Sequence, residues 1–333
     1  MTVDAPRWHV MYCSLMNKII LDTDLAMGAP GSDIDDGFAL ALAHADPDLQ
    51  LELVTTVNGN TDVDSATVLS LELLRRLGVD GVPVVKGAAT PLIHPETRRQ
   101  APQEVIGSYG IGLSPSPGYA PAVIAERIMA QPGEITLVPI GPLTNVATAL
   151  AMEPGLASAV KEIVIMGGIF RGITGETGMP GEFNVWSDPE AAAAVLRSGA
   201  AQRWVGLDVT LKVRLSRADA RRLASAPGEF APFAGAATEA WIDHQRRNRP
   251  GSPQDQDSCA MHDPLAVAAI SHPELITWAD ARVDVITGDV PGRGMMITDL
   301  LGSAAAPPPN VRIAVDVDAP AFTDHFLTLI STL

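Results

Sequence analysis

The sequence predicts an α/β fold, a mostly parallel sheet core with flanking helices. Two observations lead there. Short apolar β-type runs alternate with helical patterns through most of the chain, the order that right-handed crossovers gather into one parallel sheet. Polar residues also cluster directly after those runs, at the carboxyl ends where an open α/β sheet places its ligand. With 333 residues and 47% hydrophobic content, the chain can bury a large core.

Residues 1–16 lack the charged-then-apolar layout of a secretion signal, and Met16 directly precedes the first apolar run. They read as a flexible extension, which leaves 17–333 as a single domain with no repeat or low-complexity linker. Strands are predicted over 18–22, 51–57, 82–86, 135–140, 162–166 and 204–207. Helices are predicted near 65–77, 121–129, 143–152 and 189–196. Between about 217 and 258 the pattern leaves the parallel core. Pro307-Pro308-Pro309 is the strongest breaker, and a strand over 311–317 and a helix over 322–330 follow it.

The stretch 18–42 organises the rest. Ile19-Ile20-Leu21 delivers Asp22 and Asp24 to the end of the first strand. Gly28, Pro30 and Gly31 turn the chain into Asp33, Asp35 and Asp36, after which Phe38, Leu40 and Leu42 open a helix. Five carboxylates gathered there repel one another unless a cation neutralises them, and hard cations such as Ca²⁺ prefer oxygen ligands. Helix capping accounts for one or two of them, not five. A metal site is the better reading.

The composition excludes several partners. A formal net charge of -16 and a pI near 4.7 repel nucleic acid and anionic membranes, so a small, weakly charged ligand is expected. No apolar run approaches the roughly 18 residues of a membrane span. Two cysteines, Cys13 and Cys259, cannot build a disulfide framework, which suits a reducing cytoplasm. Cys259 has no Cys–His motif around it and is not read as a nucleophile.

Further polar groups follow the strands: Asn58-Gly59-Asn60, Gly141-Pro142-Leu143-Thr144-Asn145, Met166-Gly167-Gly168, Glu182-Phe183-Asn184 with Asp188-Pro189-Glu190, Gly206-Leu207-Asp208, and His262-Asp263-Pro264. With Asp22-Thr23-Asp24 and Asp35-Asp36, this ordered set resembles the signature of the inosine-uridine-preferring nucleoside hydrolases, and it covers almost the whole chain. The resemblance implies a Rossmann-like open sheet. It also implies Ca²⁺-dependent hydrolysis of the N-glycosidic bond of purine or pyrimidine ribonucleosides, in nucleoside salvage and catabolism, by a homodimer or homotetramer. Asp24, Asp36, Asp263 and the Ile140 carbonyl look like the calcium ligands, and Asp24 like the base that deprotonates the metal-bound water. Asp35, Asn60, Glu182 and Asn184 are expected to hold the ribose hydroxyls, with Met166 and Glu176 also at the substrate. His262 resembles the histidine beside the leaving base.

The chain departs from the family pattern in its first loop, where Leu25-Ala-Met-Gly-Ala-Pro-Gly-Ser-Asp-Ile34 replaces a much tighter connection. This insertion is expected to bulge outward through Gly28, Pro30 and Gly31, leaving Asp33 a spare carboxylate that either replaces a water in the calcium shell or, as the preferred reading, sits in solvent. Glu176 stands where many relatives place an asparagine that touches the 5′-hydroxyl, and a carboxylate there disfavours a 5′-phosphate. The region 241–258, with Trp241, His244, Arg246, Arg247 and Arg249, is expected to wall the base side. Two other readings compete. Asp22 is the nucleophile if the chain is a Mg²⁺-dependent haloacid-dehalogenase-type phosphatase, although the lysine such enzymes need is missing. The long first loop, in turn, suits a nucleoside or sugar binder without turnover.

Overall fold

The computed structural model describes residues 16–94, 106–302, 305 and 307–333. The expected extension at 1–16 lies almost wholly outside the described residues, as does Cys13. Seven parallel strands form the main sheet: β1 (Asn17–Thr23), β2 (Leu49–Thr56), β3 (Val84–Lys86), β4 (Ile135–Pro139), β5 (Glu162–Met166), β6 (Gln202–Val205) and, after a short antiparallel pair, β11 (Val311–Val317). That pair is β7 (Arg214–Ser216) with β8 (Ser258–Ala260), standing apart from the main sheet. β9 (Ile276–Val285) and β10 (Met296–Asp299) extend the main sheet antiparallel beyond β11. The full order is β10-β9-β11-β6-β5-β4-β1-β2-β3.

The chain runs outward from β1 to β2 and β3, then returns to β4 on the other side of β1. The crevice between the carboxyl ends of β1 and β4 is therefore the switch point where an open sheet binds its ligand. In register, Asp22 lies level with Thr55 on one side and Pro139 on the other. Asp24, Asn58 and Ile140 thus emerge together from three adjacent strands. The strands carrying them, such as Ile19-Ile20-Leu21, are buried on both faces and so read as unbroken apolar runs.

The helix Asp35–Ala45 opens three residues earlier than expected, with Asp35 and Asp36 in its first turn. There their carboxylates face the positive end of the helix dipole. Its ring Phe38 meets Phe230 and Phe326 edge-on at 6.1 and 5.4 Å between centroids, in the core below the sheet's first strand. Phe38→Ala is expected to cost about 3–5 kcal/mol, the cavity penalty of a buried aromatic, read as a lowered urea midpoint with an unchanged slope.

The excursion at 217–258 consists of the helices Arg217–Ala224 and Phe230–Asn248 and a short 3-10 turn, Pro253–Gln256, with β7 and β8 pairing across its base. The inserted first loop corrects the expectation of an outward bulge. Leu25, Ala26 and Met27 are fully buried, and only Pro30 and Gly31 at its tip are exposed. Gly28 and Gly31 take positive φ, 109° and 76°, which lets the loop fold back under the Phe230–Asn248 helix. Apolar residues in the insertion make inward packing the favourable path.

Candidate active site

Asp24, just beyond β1, is wholly buried. Its Oδ2 accepts the Asn60 backbone N–H at 2.5 Å, while Oδ1 has no hydrogen-bond partner among the described residues. Two glycines make room for this carboxylate. A Cβ on Gly59 would lie 2.0 Å from Oδ2, and one on Gly141 2.8 Å from Oδ1. Asn60 also donates its side-chain amide to Asp36 Oδ2 at 3.1 Å, so a single residue tethers both carboxylates. Thr23 Oγ1 donates to Asp36 Oδ1 at 2.5 Å.

From the far end of the chain, the helix His262–Ser271 brings Asp263 to the same place. The Asp263 backbone N–H donates to Asp35 Oδ2 at 3.0 Å. Carboxylate oxygens of Asp35, Asp36 and Asp263 lie within 4.8 Å of one another, and all three residues are buried. Burial, then the Asp36 charge, pushes Asp24 well up from the carboxylate range. Burial and the charges of Asp35, Asp36 and Asp24 do the same to Asp263. Asp35 rises to about 7 and Asp36 to about 6, again chiefly by burial. Three carboxylates held this close and this dry, with Asp24 and its orphaned acceptor oxygen tied to Asp36 through Asn60, offer a donor set for a hard divalent cation. Asp35, expected only at the sugar, belongs to this acidic group as well.

Above the cluster lies a cavity of about 540 Å³, within the size range of small-molecule sites. Asp35, Asn60, Ile140, Met166, Glu176, Glu182, Asn184, His262 and Asp263 all line it, whereas Asp24 and Asp36 do not and are joined to the lining through Asn60. Asn184 donates to the Ile140 carbonyl at 2.7 Å and to the Met166 carbonyl at 3.3 Å. Glu182 caps the short helix Phe183–Ser187 and accepts three backbone N–H groups, from Asn184, Val185 and Gly168 at 2.8–3.1 Å. Its position is therefore fixed before any ligand arrives. His262 Nδ1 is 2.7 Å from Thr210 Oγ1, and burial pushes the imidazole down, keeping it neutral at pH 7.

Several expectations change. Asp33 is not in solvent: it lines the cavity half-buried, and burial together with the Asp35 charge raises it to about 8. The cause is the inward path of the first loop. Glu176 reaches the cavity rim but pairs with Arg249 at 3.0 Å, so its charge is offset there. Asp22 does not face the cavity. It accepts Thr55 Oγ1 at 2.6 Å and Asn145 Nδ2 at 2.8 Å beneath the strand ends, where a phosphatase nucleophile would have no access. Asp208 is likewise occupied, accepting the backbone N–H groups of Phe170 and Arg171 at 2.7 and 3.0 Å.

Of the region expected to wall the base, Trp241, Gln245, Arg249, Gln254 and Asp255 line the cavity, whereas His244, Arg246 and Arg247 do not. Trp241 and Gln245 lie one helical turn apart, and their Nε1 and Oε1 atoms are buried without partners among the described residues. The sequence does not single out Gln245, and it offers Thr210 only as the end of the motif Gly206-Leu207-Asp208-Val209-Thr210, without a role. Their four-residue helical spacing and their post-strand placement were the available signals. Cys259 is buried and its thiol is pushed well up by burial, which makes it inert.

The sequence profile described as inosine-uridine preferring nucleoside hydrolase matches residues 19–324. A non-specific ribonucleoside hydrolase, RihC, of Escherichia coli O1:K1 is 36% identical over 315 residues, covering 91% of this chain and 95% of that protein. A probable uridine nucleosidase of Oryza sativa subsp. japonica is 34% identical over 279 residues, covering 81% and 82%. Among solved structures, a plant nucleoside hydrolase superposes with a TM-score of 0.81 at 29% identity, covering 95% of this chain and 99% of its own. A purine-preferring ribonucleoside hydrolase from Gardnerella vaginalis gives 0.80 at 26% identity, covering 95% and 98%. The phosphatase alternative has no support among these relatives. The chain belongs to the inosine-uridine preferring nucleoside hydrolase family, enzymes that hydrolyse the N-glycosidic bond of ribonucleosides.

Proposed function

We propose that this protein is a Ca²⁺-dependent ribonucleoside hydrolase that uses Asp24 as general base. What supports the reading is the buried cluster of Asp35, Asp36 and Asp263 at a nucleoside-sized cavity, with Asp24 tied to Asp36 through Asn60. Asp24, Asp36, Asp263 and the Ile140 carbonyl would hold the ion. When bound, calcium supplies a positioned water of lowered pKa. Asp24 accepts the proton, because Oδ1 is free while Oδ2 is anchored by Asn60.

Asp35, Asn60, Glu182 and Asn184 hold the ribose hydroxyls, and Met166 and Glu176 complete the sugar side. Bonds to those hydroxyls strengthen as positive charge builds on the ring during cleavage. Thr210 Oγ1 holds His262 Nδ1 at 2.7 Å, which leaves Nε2 as the nitrogen to serve the departing base. The proposed assembly is a homodimer or homotetramer in a reducing cytoplasm, and light scattering at a mass near one chain would contradict it. Relatives described as non-specific, uridine-directed and purine-preferring leave inosine and uridine equally worth testing.

The test is a panel of purine and pyrimidine ribonucleosides with and without chelator. Ribose release from at least one, abolished by chelation and restored by Ca²⁺, is the expected result; calcium-loaded protein that releases ribose from none overturns the reading. A second prediction concerns pH. Asp35 and Asp36 bind protons in the folded state at pH values where the unfolded chain has released them. Their raised pKa values therefore make the metal-free protein less stable as pH rises through that window. A bound cation replaces those protons, so the Ca²⁺-induced rise in Tm should grow from about pH 5 to about pH 8. A rise independent of pH would contradict this.

A further inference from the structure

At the opposite ends of the two helices that present the acidic cluster lies a second group of ligands. Asp46 directly follows the helix Asp35–Ala45, and His272 directly follows the helix His262–Ser271. Each helix spans about 15 Å at 1.5 Å per residue, so this group is well separated from the nucleoside cavity. His325, on the C-terminal helix Ala319–Ile330, completes it. Ligand atoms of Asp46, His272 and His325 lie within 4.8 Å of one another.

Asp46 is buried, and its Oδ2 already accepts the Ser271 hydroxyl at 2.6 Å. The Nε2 atoms of His272 and His325 stand 3.9 and 3.7 Å from that same oxygen, too far for hydrogen bonds. His325 Nε2 is buried without a partner among the described residues. On the other side of its ring, His272 places Nδ1 3.1 Å from Glu274 Oε1. A carboxylate can only accept, so Nδ1 carries the hydrogen and the Nε2 lone pair faces Asp46. Two imidazole nitrogens and a carboxylate thus converge, and in neutral His272 the nitrogen facing Asp46 carries no proton. A carboxylate behind one imidazole is the outer-shell arrangement that orients metal-ligating histidines.

We propose that Asp46, His272 and His325 form a second metal site, distinct from the nucleoside cavity, that takes a transition-metal ion such as Zn²⁺. Two nitrogens and one oxygen suit zinc and disfavour calcium, which seeks six or more oxygens. Ligands of tetrahedral zinc lie about 3.4 Å apart, so the two nitrogen–oxygen separations to Asp46 need to close by only a few tenths of an ångström. The three ligands join the C-terminal ends of both helices to the final helix. An ion there would staple together the elements whose other ends hold Asp35, Asp36 and Asp263.

The experiment is a calorimetric titration of untagged, calcium-saturated full-length protein with Zn²⁺, repeated with His272→Gln and His325→Gln. The expected result is one zinc bound per chain, accompanied by a rise in Tm, with both effects lost in either variant. Glu274→Gln should weaken binding by roughly 10- to 100-fold. Co²⁺ should give visible tetrahedral absorption in the parent protein and none in the variants. Absence of zinc binding in the parent protein overturns the proposal. So does binding that the His272→Gln and His325→Gln variants leave unchanged, because that would put the ion in the carboxylate cluster. Metal-free melting curves of the variants, expected to match the parent, separate ligand loss from misfolding.

Discussion

Asp24→Ala is expected to abolish ribose release, lowering kcat by at least about a thousandfold, since the proposed general base and a proposed metal ligand disappear together. Stability should move the other way. Asp24 is a buried carboxylate pushed well up by burial and by Asp36, so the metal-free protein carries repulsion there that the variant relieves. The one bond lost is that from the Asn60 N–H. The metal-free variant should therefore melt no lower than the metal-free parent, while gaining much less from Ca²⁺. A variant that loses activity only because it unfolds would show a clearly lower melting temperature without metal, and that result would remove Asp24 from the chemistry.

Gly59→Ala should be nearly as damaging although it touches no substrate group. Its new methyl would sit 2.0 Å from Asp24 Oδ2 and 2.8 Å from Pro142 Cδ, distances that real contacts do not reach. Proline is rigid, so the Asp24 carboxylate must move. A displacement on the order of 1 Å at a reacting group costs about a hundredfold in rate. Gly288 provides the control, because a Cβ there meets nothing within 4 Å. The expected pattern is a hundredfold loss of kcat in Gly59→Ala and parental activity in Gly288→Ala. Full activity in Gly59→Ala would mean that the position of Asp24 is not critical.

The parallel strands were legible because burial on both faces turns them into apolar runs, as in Ile19-Ile20-Leu21 and Ile163-Val164-Ile165. The helix Pro189–Leu196 was read with its observed bounds, since Asp188 caps it and Pro189 starts it. β9 escaped notice. Its residues Thr277, Asp280, Arg282 and Asp284 interrupt the apolar pattern near the antiparallel edge of the sheet, where only alternate side chains are buried. The helix Phe230–Asn248 was hidden by an alanine-rich, weakly patterned sequence within the excursion. In the site, single carboxylates at strand ends could be named from order alone. Whether they face a cavity depends on long-range packing. That is why Asp33 turned inward with its loop and Asp22 proved to be a buried anchor for Thr55 and Asn145.

The central claim is that residues 239 positions apart in sequence, Asp24 and Asp263, share one cation with Asp36. Calorimetric titration of Ca²⁺ into chelator-stripped protein tests it most directly, comparing the parent with Asp263→Asn. One ion per chain in the parent, with affinity reduced by at least about tenfold in the variant, is the predicted result. Equal affinity in the two proteins would contradict it.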